Sequence, residues 1–219
     1  MKLVVFDVDG TLVDSQHHIH GAMSLAFEGV GLAPLPRDEV LQIVGLSLPV
    51  AVARLAPDHA PELQARIVEG YRGAFRTARI AQEAPLYQGA QDCLDRLARH
   101  DDLLLAVATG KSRRGLDAMI AAHDLQGRFV SLQTADHHPS KPAPDMLLAA
   151  VSEAGLAPED AIMIGDTSFD IEMAVAAGMP GIGVAWGYHR PDDLLASGAL
   201  DVAPDFGALT RMIEDWAAT

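Results

Sequence analysis

The feature that most constrains this chain is a rhythm of short apolar runs alternating with helical patterns. Four runs, Leu103–Ala108, Phe129–Gln133, Ala161–Ile164 and Gly181–Ala185, read as buried strands. Between them, Ser112–Leu125 places Leu116, Met119, Ile120 and His123 on one stripe. Pro144–Gly155 carries Met146, Leu147, Ala150 and Val151, and Asp170–Gly178 carries Ile171, Ala174 and Val175; each stops at a glycine. A strand, a helix and a further strand in one sheet close as a right-handed crossover. The pattern therefore predicts an α/β fold, a doubly wound parallel sheet.

A fifth run, Leu3–Phe6, stands apart. About 95 residues separate it from Leu103, far more than a crossover needs. The excess is helical in pattern: Ile19, Met23, Ala26 and Val30 follow one stripe, and Leu63, Ile67, Tyr71, Phe75 and Ala78 another. Pro34-Leu35-Pro36 and Pro57 punctuate it. The expected organisation is an α/β core of residues 1–14 and 83–219 carrying a helical insertion at 15–82. Its hinges are expected at Asp14-Ser15 and Gln82–Pro85.

Composition narrows the functions. A net charge of −14 argues against nonspecific binding to nucleic acid or an anionic membrane. It permits anionic substrates wherever a local cation inverts the field. Cys93, the single cysteine, excludes an internal disulfide and a cysteine-rich metal site; its helical surroundings predict a small core residue. No apolar stretch approaches the roughly 20 residues that span a bilayer. Met1-Lys2 runs directly into a strand and Asp7, which leaves no room for a signal peptide. A soluble, cytoplasmic protein is expected.

Chemistry gathers where the strands end. In Asp7-Val8-Asp9-Gly10-Thr11 two carboxylates two residues apart share one side if strand geometry persists. They would project from the carboxyl end of the sheet, where open α/β folds bind ligands. Such a pair suits a nucleophile beside a general acid/base, and equally an Asp/Gly turn. Thr109-Gly110 closes the next strand and offers a hydroxyl and an amide to an anion. The string TGKS is no P-loop, because Leu105 stands where a glycine is required. In Ser140-Lys141-Pro142-Ala143-Pro144 two prolines predict an extended, rigid approach that carries Lys141; a surface lysine is the alternative.

Asp166 and Asp170 follow the fourth run. If Asp166 opens a helix, Asp170 faces the same way one turn later, as a cap or as part of a site. With Asp7 and Asp9 they would put four carboxylates around one cleft. Each pair about 4 Å apart repels by about 4 kcal/mol at an effective dielectric near 20, so the cluster needs cations. An oxygen-only set suits Mg2+. The clusters His17, His18, His20 and His137-His138 reproduce no zinc motif. Trp186-Gly187-Tyr188-His189 either borders the cleft or packs at the sheet edge.

The strings VVFDVDGTLVDS, VATGKS, KPAPD and IGDTSFDIEMA, in this order, resemble the haloacid dehalogenase-like superfamily of phosphohydrolases over essentially the whole chain. The insertion matches the small helical cap of the subfamily that includes phosphoglycolate phosphatase. The resemblance implies a Rossmann-like core with sheet order 5-4-1-2-3. It also implies a Mg2+-dependent phosphatase acting on a small phosphorylated metabolite, with phosphoglycolate the first guess, through an aspartyl-phosphate. Asp7 would be the nucleophile and Asp9 the general acid/base. Thr109 and Gly110 would hold the phosphoryl oxygens, and Lys141 would neutralise charge. Mg2+ would be held by Asp7, the Asp9 carbonyl and Asp166, with Asp170 ordering bound water and Lys141.

Departures narrow this further. Dehalogenating and phosphonate-cleaving members lack an aspartate two residues after the nucleophile, where this chain has Asp9. The phosphonate group also needs a cap lysine, and Lys2, Lys111 and Lys141 all lie outside the insertion. In Val44-Gly45-Leu46-Ser47-Leu48, Gly45, Leu46 and Ser47 are expected to dip towards the cleft and meet the leaving group; alternatively Gly45 only ends a helix. Arg37, Arg54, Arg66, Arg72, Arg76 and Arg79 lie in the insertion, where one could hold a substrate carboxylate. Two alternatives stay open: a phosphomutase of the beta-phosphoglucomutase type, and a non-catalytic phosphorylatable receiver or binding module.

Overall fold

The computed structural model describes every residue, Met1–Thr219. Its first strand, β1 (Lys2–Phe6), lies inside a six-stranded parallel sheet with β2 (Leu103–Thr109), β3 (Ser131–Thr134), β4 (Ala161–Gly165), β5 (Gly181–Val184) and β6 (Asp201–Ala203). The order is β3-β2-β1-β4-β5-β6. Leu3, Val4, Val5 and Phe6 are all fully buried, so β1 has no face for water and must sit centrally between two layers. Its register sets Phe6 beside Val107 and Ile164. The carboxyl ends of β1, β2 and β4 therefore open on one edge, at Asp7, Thr109 and Asp166.

Alternation along β1 divides the core. Val4 and Phe6 face α5 (Ala90–Leu97), α6 (Arg113–Ala122) and α10 (Phe206–Ala217) through Leu94, Leu116 and Leu209. Leu3 and Val5 face α7 (Asp145–Ala154) and α8 (Ser168–Ala176) through Met146, Leu147 and Met173. The last helix pair of the chain includes α9 (Pro191–Ala196), which packs on β5 and β6.

The order 5-4-1-2-3 is present, with β6 added beyond β5. Asp201–Ala203 is a three-residue edge strand, too short to register as an apolar run. The third strand begins at Ser131 rather than Phe129, whose ring packs against the core from outside the sheet. The helix expected from Asp170 begins at Ser168. Thr167 is its N-cap and Asp170 its third residue, and their side chains cap one another's backbone N–H groups. Asp166 thus precedes the helix instead of opening it.

Between β1 and α5 run α1 (Gln16–Glu28), α2 (Arg37–Leu41), α3 (Leu48–Leu55) and α4 (Pro61–Ala81). They share an apolar core of their own that includes Ile19, Met23, Phe27, Val52 and Ile67. α1 and α4 meet closely at Ala26 and Gly70, where a Cβ on Gly70 would stand 3.3 Å from the Ala26 Cα. The chain leaves and returns along paired segments: Asp14 N–H donates to Pro85 O and Tyr87 N–H to Leu12 O, both at 2.9 Å. His18 lies edge-on to Phe75, and His20 Nε2 is 3.2 Å from Leu35 O. Cys93 is buried in α5. No helix is long and apolar enough to cross a membrane.

Leu94 is fully buried under the sheet, whereas Leu25 is 60% exposed on α1. In urea denaturation Leu94→Ala is expected to lose about 2–5 kcal/mol. Leu25→Ala should stay within about 0.5 kcal/mol of the parent.

Candidate active site

Asp7 is the first residue beyond β1. Its N–H donates to Ile164 O at 2.9 Å, which continues the sheet by one bond and fixes the backbone beneath its carboxylate. Lys141 reaches the same spot from the connection between β3 and α7. Its Nζ lies 2.9 Å from Asp7 Oδ1 and 2.6 Å from Asp170 Oδ1, all three side chains being buried. Ser140–Pro144 is a turn, closed by Ala143 N–H on Ser140 O, where an extended approach was expected. The two buried ion pairs draw Lys141 inward.

Asp166 completes the cluster: it, Asp7 and Asp170 offer carboxylate oxygens that all lie within 4.8 Å of one another. Asp166 Oδ1 accepts from Thr11 Oγ1 at 2.8 Å and Oδ2 from Tyr188 N–H at 2.9 Å. Two glycines make room for it. A Cβ on Gly10, whose φ is +91°, would fall 2.2 Å from Asp166 Oδ2, and one on Gly187 2.0 Å from its Cβ. Asp170 Oδ2 accepts from the Thr167 N–H and hydroxyl.

Three buried carboxylates face one ammonium, and the protonation equilibria of Asp7, Asp166 and Lys141 register the imbalance. Burial pushes Asp7 up to about 7; Lys141 opposes this and Asp170 adds to it. Burial, with Asp170 and Asp7 nearby, raises Asp166 well above the usual carboxylate range, against its donors from Tyr188 and Thr11. Burial works against the Lys141 charge, but Asp170 and Asp7 outweigh it and raise that pKa. Neither Asp7 oxygen has a hydrogen-bond donor in good geometry, and the nearest cation is Lys141 Nζ, 2.9 Å from Oδ1. Orphaned anionic oxygens in a donor set made only of oxygen fit a divalent cation such as Mg2+.

Asp9 stands aside from this cluster. The strand ends at Phe6, so Asp7 and Asp9 both lie on the loop that follows it. Asp9 Oδ1 accepts from Ser15 Oγ at 2.6 Å, and Oδ2 is 3.0 Å from Lys111 Nζ. The cluster therefore holds three carboxylate side chains instead of four. Asp7 and Asp9 both line one cavity of about 820 Å³, together with Thr109, Gly110, Lys111 and the Gly45-Leu46-Ser47 loop. Lys141, Asp166 and Asp170 lie behind Asp7.

The loop from the insertion rests directly on β2's end. A Cβ on Gly110 would stand 2.5 Å from Gly45 O and 2.6 Å from Leu46 O, and Ser47 N–H donates to Ser140 Oγ at 2.8 Å. Gly45 itself has φ +97°, so it both breaks the chain after α2 and sets the loop over the cleft. Trp186–His189 also borders the site: Trp186 Nε1 donates to Thr11 O, and Tyr188 OH is 3.2 Å from Ser15 Oγ. His189 Nδ1 accepts from Ser168 N–H while Nε2 meets Gln42 O at 3.1 Å, which ties α8 to the helical insertion. Sequence reasoning missed Ser15, Lys111, Ser140 and the backbone role of Tyr188. Lys111 carried a signal, in the string TGKS, that a P-loop comparison set aside.

The Asp7 shift has a consequence for stability without a cation. The folded protein keeps the Asp7 proton up to about pH 7, whereas the unfolded chain releases it near 3.8. The folded state then binds more protons, so this group's contribution to stability falls as pH rises between those values. In EDTA, Asp7→Asn should gain melting temperature relative to the parent from pH 5 to pH 8, and excess Mg2+ should reverse the trend. A difference that does not change with pH would contradict the buried-charge account.

Residues 4–184 match the sequence profile of the family described as Haloacid dehalogenase-like hydrolase. The "Probable phosphatase IndB" of Dickeya dadantii (strain 3937) is 36% identical over 200 residues, spanning 89% of this chain and 86% of its own. The phosphoglycolate phosphatase of Caulobacter vibrioides is 34% identical over 214 residues, spanning 91% and 88%. The crystal structure of a hydrolase from Pseudomonas syringae superposes with a TM-score of 0.87 at 25% identity, covering 98% of this chain and 99% of that one. These matches run through the helical insertion as well as the sheet. The chain belongs to the haloacid dehalogenase-like hydrolases.

Proposed function

We propose that this protein is a Mg2+-dependent phosphatase that hydrolyses a small phosphomonoester through a phosphorylated Asp7. One observation carries the reading. Asp7 is the only member of the buried carboxylate cluster that also lines the cavity. A substrate phosphate entering there meets a carboxylate already paired with Lys141.

An Asp7 oxygen attacks phosphorus, and the ester oxygen departs with a proton from Asp9. Asp9 then takes a proton from water as that water attacks the aspartyl-phosphate, releasing inorganic phosphate and free Asp7. Ser15 and Lys111 hold the Asp9 carboxyl in the cavity. Thr109, which closes β2, and Gly110 donate to the phosphoryl oxygens, and Lys141 offsets the charge on Asp7 and the transferring group. Mg2+ would be held by Asp7, the Asp9 carbonyl and Asp166, and would shield the repulsion between two anions. Asp170 spends one oxygen on Lys141 and the other on Thr167, which suits an outer, orienting place.

Residues 15–82 serve as a cap over a core of 1–14 and 83–219, with Gly45, Leu46 and Ser47 facing the leaving group. The separate apolar core of α1–α4 supports that division. Phosphoglycolate is the first substrate to try, on the strength of relatives such as the Caulobacter enzyme. Charged phosphate esters do not cross bilayers, which favours a cytoplasmic location.

Purified protein with Mg2+ should release inorganic phosphate from phosphoglycolate and stop in EDTA. Asp7→Asn should abolish turnover, and Asp9→Asn should lower kcat by about 10²–10⁴-fold. Activity that persists in Asp7→Asn would remove the nucleophile assignment. A phosphorus NMR time course on a hexose 1-phosphate distinguishes the mutase: isomerisation without net phosphate release would replace the hydrolase reading.

A further inference from the structure

Both oxygens of the Asp9 carboxylate are held, each from a different part of the chain. Oδ2 lies 3.0 Å from Lys111 Nζ, just past the end of β2. Oδ1 accepts from Ser15 Oγ at 2.6 Å. Ser15 is the N-cap of α1, where a serine hydroxyl ordinarily accepts from a backbone N–H of the first turn. No such bond is made here, and the hydroxyl is turned to Asp9 instead. Its one proton is spent there. The other contact of Ser15 Oγ, 3.2 Å from Tyr188 OH, is therefore donated by the phenol. Burial, with Asp9 and Asp166 adding to it, raises the Tyr188 pKa, so the phenol keeps the proton it donates.

Tyr188 is itself fixed from three sides. Its N–H donates to Asp166 Oδ2 at 2.9 Å, and the N–H of His189 reaches Asp166 O at 3.3 Å. Its ring packs against the apolar core of α1–α4. Its hydroxyl meets Ser15. Neither Ser15 nor Tyr188 lines the cavity, so neither touches a substrate bound there. What the pair controls is where the Asp9 carboxyl stands. Asp9 lies on a loop beyond its strand, where the backbone alone does not aim the side chain. A reacting group displaced by about 1 Å can lose about a hundredfold in rate.

We propose that Tyr188 is a positioning residue: through Ser15, its hydroxyl aims the Asp9 carboxyl at the leaving-group oxygen. This rests on the phosphatase reading and names the residue that sets its proton donor in place. The same residue joins Asp166 to the apolar core of the helical insertion. The acid is thereby aligned with the buried carboxylate cluster and with the seating of α1–α4 together.

Tyr188→Phe removes the hydroxyl and leaves the ring and the backbone N–H. The readout is kcat/KM, which covers the steps through phosphoryl transfer to Asp7, on two kinds of ester. Phosphoglycolate and glycerol 3-phosphate release alkoxides that need the Asp9 proton, whereas p-nitrophenolate leaves without one. The variant is expected to lose about three- to tenfold on the alkyl esters and less than about twofold on p-nitrophenyl phosphate. Ser15→Ala should show the same selectivity, and the double variant should be no slower than Ser15→Ala alone. No loss on the alkyl esters, an equal loss on both kinds, or losses that multiply in the double variant would overturn the proposal. A parent protein that hydrolyses none of these esters fails the phosphatase reading instead. An Asp9→Asn variant that loses both kinds alike fails the Asp9 assignment. In either case carbon NMR of carboxyl-labelled aspartate, with the Asp9 resonance assigned by its disappearance in Asp9→Asn, decides the Tyr188 link alone. A shift of that resonance in Tyr188→Phe that is absent when Ser15 is already replaced by alanine supports the link. No shift, or one that persists without the Ser15 hydroxyl, overturns it.

Discussion

Three carboxylates and one ammonium, shut away from water within a few ångströms, set the terms for the rest of this molecule. Asp7, Asp166 and Asp170 would repel one another strongly, and Lys141 answers only part of that charge. The remainder is spread over donors that the fold supplies: Thr11 and Tyr188 for Asp166, Thr167 for Asp170. Asp7 alone is left without such donors. An anion that is kept poor in hydrogen bonds, next to a cavity, is reactive in a way that a fully satisfied one is not.

The sheet makes this arrangement affordable to the backbone. Because β1 is flanked by β2 and β4 in parallel register, three carboxyl ends present their next residues to one small volume. Each of those residues leaves its strand through a tight turn, and the turns must pass close to one another. Gly10 and Gly187 on either side of Asp166 allow that proximity. A side chain at either place would occupy the position of the carboxylate itself.

Much of the core was legible because its signals are local. Apolar runs ending at Asp7, Thr109 and Gly165, and stripes such as Leu116–Met119–Ile120, follow from burial on both faces of a parallel sheet. Strand β6 escaped notice because three residues at a sheet edge need little apolar content. The pairing of Asp9 with Lys111 and Ser15 was invisible for a different reason. It depends on where the chain turns after Phe6, which brings back Ser15 six residues on, and on contact with Lys111 about a hundred positions away, which no periodicity encodes. The Tyr188 N–H contact to Asp166 is a backbone contact, so its residue type gives no clue to it. The loop at Gly45 was recognisable as a break, but its position over Gly110 required the packing of the whole helical insertion.

The chain's departure from the sheet and its return are hydrogen-bonded to each other, Asp14 to Pro85 and Leu12 to Tyr87. Seen from the sheet, everything between them is a closed excursion that begins and ends at one place. Its length and content do not alter the spacing of β1 and β2. Evolution can thus exchange or enlarge the excursion without disturbing the reacting groups beneath it. On the reading of residues 15–82 as a cap, substrate choice and bond-breaking chemistry become separable traits within a single continuous gene.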